Sequence, residues 1–285
     1  MAMSTIGVLH PGAMGVSVAA AGTSGANVVW SSEERSESTR QRAQQAGLED
    51  VGTLAQLVQA SDVVISVCPP HAALALAREV AVCGFSGVYV DANAVSPKTA
   101  RQVAACVIEG SADFVDGGII GPPAHQSGTT RLYLSGDRAE QVAALFSGSP
   151  LDVHVIPGAA GQASALKMAF AGWTKGTSAL ILAIRALAAA EGVEEALLEQ
   201  WSLSQSGLEE RSERAARGSS PKAWRFVGEM REIAATYGYA GLPTGFHLAA
   251  AELYERLTSF KDRTDPPVTL SEVVDVLQTP PMAGA

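Results

Sequence analysis

Lysine is scarce in this chain of 285 residues, occurring only as Lys98, Lys167, Lys175, Lys222 and Lys261. Lysine and arginine together number 20 against 29 acidic residues, a formal net charge of −9. Binding to nucleic acid or to an anionic membrane needs clustered cations that neutralise phosphate, so this balance argues against both partners. Cysteine is almost absent. Cys68, Cys83 and Cys106 form no CxxC pair, which suggests neither a disulfide framework nor a metal site and fits a reducing cytoplasm. Residues 1–9 lack a basic segment followed by a long apolar run, so they do not read as a signal peptide. The most apolar stretch, residues 163–192, is interrupted by Lys167, Lys175 and Arg185. Each is costly in lipid, so the stretch reads as a long buried helix. What remains is a chain 47% hydrophobic and 17% charged, too apolar to be disordered and long enough for two ordinary domains.

Short β-branched runs at residues 5–9, 27–31, 62–67, 87–91, 112–116, 129–134 and 152–156 read as strands. Segments with helical spacing lie between most of them, at 15–23, 36–46, 72–82, 97–109 and 137–146. Strand–helix alternation of this kind predicts right-handed βαβ units and a largely parallel sheet. After Pro157 the β pattern disappears. A helix of about 25–30 residues follows, longer than most globular helices. Shorter helices are predicted near 193–201, 206–217, 222–237, 244–260 and 270–277, and residues 279–285 read as a loose tail. The expected fold class is α/β: a doubly wound Rossmann domain over residues 1–157, then an all-helical domain over 158–285. The long helix joins the two.

The segment His10-Pro11-Gly12-Ala13-Met14-Gly15 sits between the first strand and the first helix, where a dinucleotide fingerprint belongs. Gly12 and Gly15 suit the second and third glycine roles, which are close backbone approach to a pyrophosphate and packing of helix on strand. His10 replaces the first glycine. About 20 residues on, an NAD-binding pattern places an acid at the tip of strand two. Here the tip is Ser31-Ser32, with Arg35 beyond it. Hydroxyls and a guanidinium suit a 2′-phosphate, which favours NADP; Glu33 keeps NAD as the alternative, because its carboxylate would suit a free 2′-hydroxyl.

The chain resembles the 6-phosphogluconate dehydrogenase-like, β-hydroxyacid dehydrogenase superfamily over nearly its whole length. The motifs that carry the resemblance are Ile6-Gly7…Gly12-Ala-Met-Gly15, Asp62-Val-Val-Ile…Pro69-Pro70, Val90-Asp91…Ser96-Pro97, Asp116-Gly-Gly-Ile-Ile-Gly121 and Gly161…Lys167. The resemblance implies that Lys167 is the catalytic lysine, exchanging a proton with the substrate oxygen while hydride passes to or from the nicotinamide. It also implies a homodimer with active sites between domains, and cofactor contacts that include Cys68, Pro69 and Asn93. Burial on an apolar helix face disfavours a lysine's charged form, which suits acid–base work.

Departures from the family pattern bear on the substrate. Ala171 stands where a family asparagine is common; Trp173 and Lys175 are candidates to replace that polar group. Asp91-Ala-Asn93-Ala94 replaces a Ser-Thr pair, and Ile120-Gly121-Pro122 replaces a Ser-Gly-Gly carboxylate clamp, which disfavours plain β-hydroxyacids. Arg131 lies on a strand face that reads as solvent-exposed. The expected activity is oxidoreduction of a carbonyl or hydroxyl on a small polar molecule. Imine reduction on the same scaffold and a non-catalytic dinucleotide sensor are the alternatives.

Overall fold

A computed structural model describes residues 3–279; residues 280–285, most of the expected tail, lie outside the described residues. In the first part of the chain the elements are β1 (Thr5–Val8), α1 (Ala13–Gly22), β2 (Asn27–Trp30), α2 (Glu37–Gln45), β3 (Glu49–Asp50) and α3 (Leu54–Ala60). Next come β4 (Val63–Ser66), α4 (Ala73–Val82), β5 (Val88–Asp91), α5 (Pro97–Glu109) and β6 (Asp113–Ile120). Then follow β7 (Arg131–Ser135), α6 (Ala139–Ala144) and β8 (Asp152–Val155). The strands form one sheet in the order β3-β2-β1-β4-β5-β6-β7-β8, parallel except where β7 runs against β6. The order reverses between β1 and β4, the doubly wound arrangement expected, with its ligand-binding crevice at that reversal.

Both sheet faces are covered, which is why the strands read as continuous apolar runs rather than alternating ones. Val63, Ile65, Val88 and Val90 pack into a core on one face, and Val64 and Tyr89 into a core on the other. Each buried Val or Ile there contributes about 1.5–3 kcal/mol relative to exposure. Local chemistry sets the helix starts: Ser96 caps α5 by accepting from the Thr99 N–H, and Pro97 occupies its first turn. Two elements escape the periodicity reading. β3 is two exposed acidic residues, and the seven-residue α3 begins in a Thr53–Gln56 capping box.

The remaining elements are helices: α7 (Gln162–Ala190), α8 (Glu194–Ser204), α9 (Leu208–Ser219), α10 (Ala223–Tyr239), α11 (Gly245–Arg256) and α12 (Leu270–Gln278). α7 has 29 residues, within the expected length. The chain forms two compact units, residues 1–168 and 169–285, so the division falls inside α7 and not before it. The second unit has its own core, in which Leu182, Met230, Ile233, Tyr254 and Leu257 are fully buried. Among the described residues no helix is long and apolar enough to cross a membrane.

Candidate active site

The turn after β1 is built for close approach. Pro11 is buried, and the Gly12 N–H donates back to the His10 carbonyl at 2.9 Å. A methyl on Gly15 would overlap that same carbonyl oxygen, so this glycine lets α1 pack against the turn. Gly12 is different. It occupies the N-cap of α1 with no side-chain cap, and no atom lies within 4 Å of where its Cβ would stand. The helix therefore presents its first N–H groups, including those of Ala13 and Met14, toward open space, an arrangement suited to an anion.

His10 reaches across to the next strand end, where its Nε2 lies 2.8 Å from Arg35 Nη1. Burial first, and the Arg35 guanidinium second, push its pKa down to about 4, so the imidazole is neutral near pH 7. Ser31 donates its hydroxyl to the Gly52 carbonyl, and the Ser32 N–H donates to Asp50 Oδ1. Arg40 Nη2 donates to the Ser32 carbonyl at 2.8 Å. Glu33 turns away from this group and accepts from the Leu54 N–H at the start of α3. Asp50 escapes a sequence reading because only the β2–β3 pairing brings it to this loop, and Arg40 because it reaches back to Ser32 from α2.

At the ends of β4 and β5, Asn93 is buried and its amide is engaged within the protein. Its oxygen accepts from the Cys68 N–H at 2.6 Å, and its nitrogen donates to Ser66 Oγ at 3.0 Å. Asn93 therefore ties the two loops together. Burial, the largest influence on the Cys68 thiol, pushes its pKa up to about 11, so it is not a thiolate. Pro69 is exposed beside it.

The start of α7 is anchored by one carboxylate. Asp116, fully buried on β6, accepts from the Gly161 and Ser164 N–H groups, each at 2.9 Å. It also accepts from the hydroxyls of Ser164 at 2.6 Å and Ser135 at 3.2 Å. Gly118 allows the helix to lie directly on the strand: its Cβ would sit 2.7 Å from the Ala163 carbonyl oxygen and 3.1 Å from Lys167 Cβ. The Lys167 ammonium donates to the Ile119 carbonyl at 2.7 Å. The Asp116-Gly-Gly motif thus seats Lys167 at the end of β6. Beyond it Ile120 ends the strand, and Gly121 has φ +129 with the Thr129 carbonyl against it. The Pro122 carbonyl accepts from the Thr130 hydroxyl.

In the helical unit Trp173 is exposed, with the Arg211 guanidinium 5.7 Å from its ring centroid. Lys175 is neither a surface lysine nor an isolated cation. It pairs with Glu229 at 2.5 Å, both side chains largely buried, and lies 4.9 Å from the centroid of the Phe226 ring. Arg131 lies on an exposed strand face and pairs with Asp152. Among the described residues no group of three or more His, Cys, Asp or Glu side chains is placed to hold a metal ion.

A doubly wound sheet with a glycine turn at its reversal point and an open helix N-terminus defines a Rossmann-type dinucleotide-binding protein. Residues 5–146 match the family described as the NAD binding domain of 6-phosphogluconate dehydrogenase, and through this domain the chain belongs to that family. Residues 188–257 match a domain of unknown function, DUF1932. An uncharacterized 28.5 kDa protein in the 7S RNA 5′ region of Methanothermus fervidus is 34% identical over 166 residues. That match spans 58% of this chain and 63% of the relative, less than two thirds of its length.

A conserved protein of unknown function, with structural similarity to 3-hydroxyacid dehydrogenases, is 29% identical with a TM-score of 0.68. The match covers 90% of this chain and 97% of that one. Mycobacterium tuberculosis 3-hydroxyisobutyrate dehydrogenase, solved with L-serine, gives a TM-score of 0.73 at 18% identity, covering 98% and 100% of the two chains. A reductive aminase from Aspergillus terreus, in complex with NADPH and ethyl levulinate, gives 0.57 at 18% identity, covering 97% and 100%. These last two likenesses are of fold. The scaffold is thus the one used by NAD(P)-dependent hydroxyacid dehydrogenases and imine-reducing enzymes.

Proposed function

We propose that the chain is an NADP-preferring oxidoreductase acting on a carbonyl or hydroxyl of a small polar substrate, with Lys167 as general acid–base. The observation that carries this reading is the seating of Lys167 at the end of β6 by Asp116 and Gly118. A bound nicotinamide supplies or accepts hydride at its C4 position. Lys167 delivers a proton to the substrate oxygen in reduction and takes it back in oxidation, while the Ile119 carbonyl orients its amine. Ala13 and Met14 offer N–H groups to the pyrophosphate, and Gly12 leaves room for it. Ser31, Ser32 and Arg35 take the adenosine ribose and its 2′-phosphate. Glu33 supports NADP over NAD, because its carboxylate is engaged at α3.

Cys68, Pro69 and Asn93 form the ledge beside the nicotinamide, and Ile120, Gly121 and Pro122 wall the substrate. Residues 158–285 serve as the substrate-binding and dimerisation domain. Phe170, Trp173, Leu180 and Leu187 on α7 are exposed apolar side chains, three of them at seven-residue intervals, which supports a homodimer. Three free thiols, none in a disulfide, suit the cytoplasm.

The test is titration with NADPH and NADH, then a carbonyl, alcohol and imine panel with the wild type and Lys167→Ala. The expected result is tighter NADPH binding and a loss of about 100-fold or more in carbonyl turnover for the variant, with cofactor affinity unchanged. Imine reduction is the second reading, favoured by the reductive aminase fold and by Ile120 in place of a hydroxyl. It prevails if Lys167→Ala keeps imine reduction and loses alcohol oxidation. Tight NADPH binding with no turnover across the panel identifies a sensor.

A further inference from the structure

We infer that His10 is a positioning residue for cofactor specificity, holding the Arg35 guanidinium in place for the adenosine 2′-phosphate. The inference rests on the NADP reading above and adds the device that enforces it. Arginine only donates, so the 2.8 Å contact fixes His10 Nε2 as acceptor and leaves the proton on Nδ1. The contact joins residues 25 positions apart and bridges the ends of β1 and β2. His10 is itself a rigid post: Pro11 follows it, its carbonyl accepts from the Gly12 N–H, and Gly15 packs against that carbonyl. The imidazole is neutral at working pH, so it accepts from the guanidinium without repelling it.

The first glycine of the fingerprint has therefore been exchanged for a side chain that reaches where backbone cannot. An arginine at a strand tip is ordinarily a long, mobile side chain, and ordering it opposes phosphate binding. Here the ordering is largely done before the cofactor arrives. His10 Nδ1 and Arg35 Nε are both buried and have no hydrogen-bond partner among the described residues. Both atoms are closed off from solvent, so the contact they flank is packed into the protein and not solvated.

The experiment measures the Kd of NADPH and of NADH by fluorescence titration of the full chain. It compares the wild type, His10→Ala, His10→Gln, Arg35→Ala and the double variant His10→Ala/Arg35→Ala, each checked by thermal melting. Arg35→Ala should raise the NADPH Kd about tenfold or more, the loss expected for one charge-assisted contact, with NADH changed less than about twofold. His10→Ala should raise the NADPH Kd about fivefold with NADH again little changed, and should add nothing in the Arg35→Ala background. His10→Gln, whose amide oxygen also accepts, should restore most of the preference. If His10→Ala weakens both cofactors equally, or weakens NADPH as much without Arg35, His10 only shapes the turn and the inference is overturned. If Arg35→Ala abolishes a real NADPH preference that His10→Ala leaves intact, the His10 role alone is overturned. A wild type without NADPH preference overturns the NADP reading and this inference together.

Discussion

Gly12→Ala separates folding from cofactor binding at a single methyl group. The added methyl meets no atom within 4 Å, and φ −67 at this position is ordinary for alanine. Alanine is a poorer N-cap than glycine, by about 0.5–1 kcal/mol, and this is offset by a similar gain from a stiffer unfolded chain. Stability should therefore stay within about 0.5 kcal/mol of wild type. Binding is another matter. The methyl would stand between the turn and the bound pyrophosphate, lengthening one or two charge-assisted N–H bonds worth about 1.5–3 kcal/mol each. Loss of one such bond corresponds to about tenfold to a hundredfold or more in dinucleotide affinity. Gly15→Ala is the counter-case: its methyl overlaps the His10 carbonyl, and such overpacking costs about 1–3 kcal/mol of stability. Thermal melts and NADPH fluorescence titrations on both variants distinguish the two effects. A Gly12→Ala protein that is folded and binds NADPH like the wild type would refute the placement of the pyrophosphate at this turn.

Three further outcomes follow from the same geometry. Gly118→Ala would drive α7 away from β6, costing about 1–3 kcal/mol in urea unfolding and at least tenfold in turnover, with dinucleotide Kd unchanged; wild-type turnover would show that Lys167 does not depend on this contact. Asp116→Ala strips the acceptor from four buried donors and should destabilise the protein by about 3–5 kcal/mol; a loss under about 1 kcal/mol would contradict the anchoring role. His10 gives a pH signature. Its pKa falls from 6.5 unfolded to about 4 folded, so the unfolded chain binds the proton first and stability drops as pH falls between those values. After allowance for solvent screening the loss is about 1–2 kcal/mol; His10→Gln should flatten this slope, and an unchanged slope would show that His10 is not the group responsible.

The doubly wound sheet was legible because buried parallel strands and their crossover helices leave strong periodic patterns. β3 was not, since two exposed acids carry no pattern and form a strand only because β2 lies beside them. The missed α3 did leave a signal, Thr53-Leu-Ala-Gln56, a capping box readable from sequence. In the candidate site, Lys167 and the glycine turn were visible as motifs. The motif spelling of Asp116 hid its task, since four donors, from β7, from α7 and from Gly161 just before α7, converge on it only in three dimensions. The bond between His10 and Arg35 was equally invisible, because no local spacing relates two strand tips 25 residues apart.

The division of the chain inside α7 bears on which substitutions Lys167 should feel. Lys167 lies in the first compact unit, on the two helical turns tied to the sheet, although the same helix continues far into the second. The contacts that set its register with β6 lie within that unit: Asp116 holds the Gly161 and Ser164 N–H groups, and the Ile119 carbonyl accepts from Lys167 itself. Substitutions in the second unit should therefore leave that register in place. The helical half can then change its surface while Lys167 stays at the end of β6.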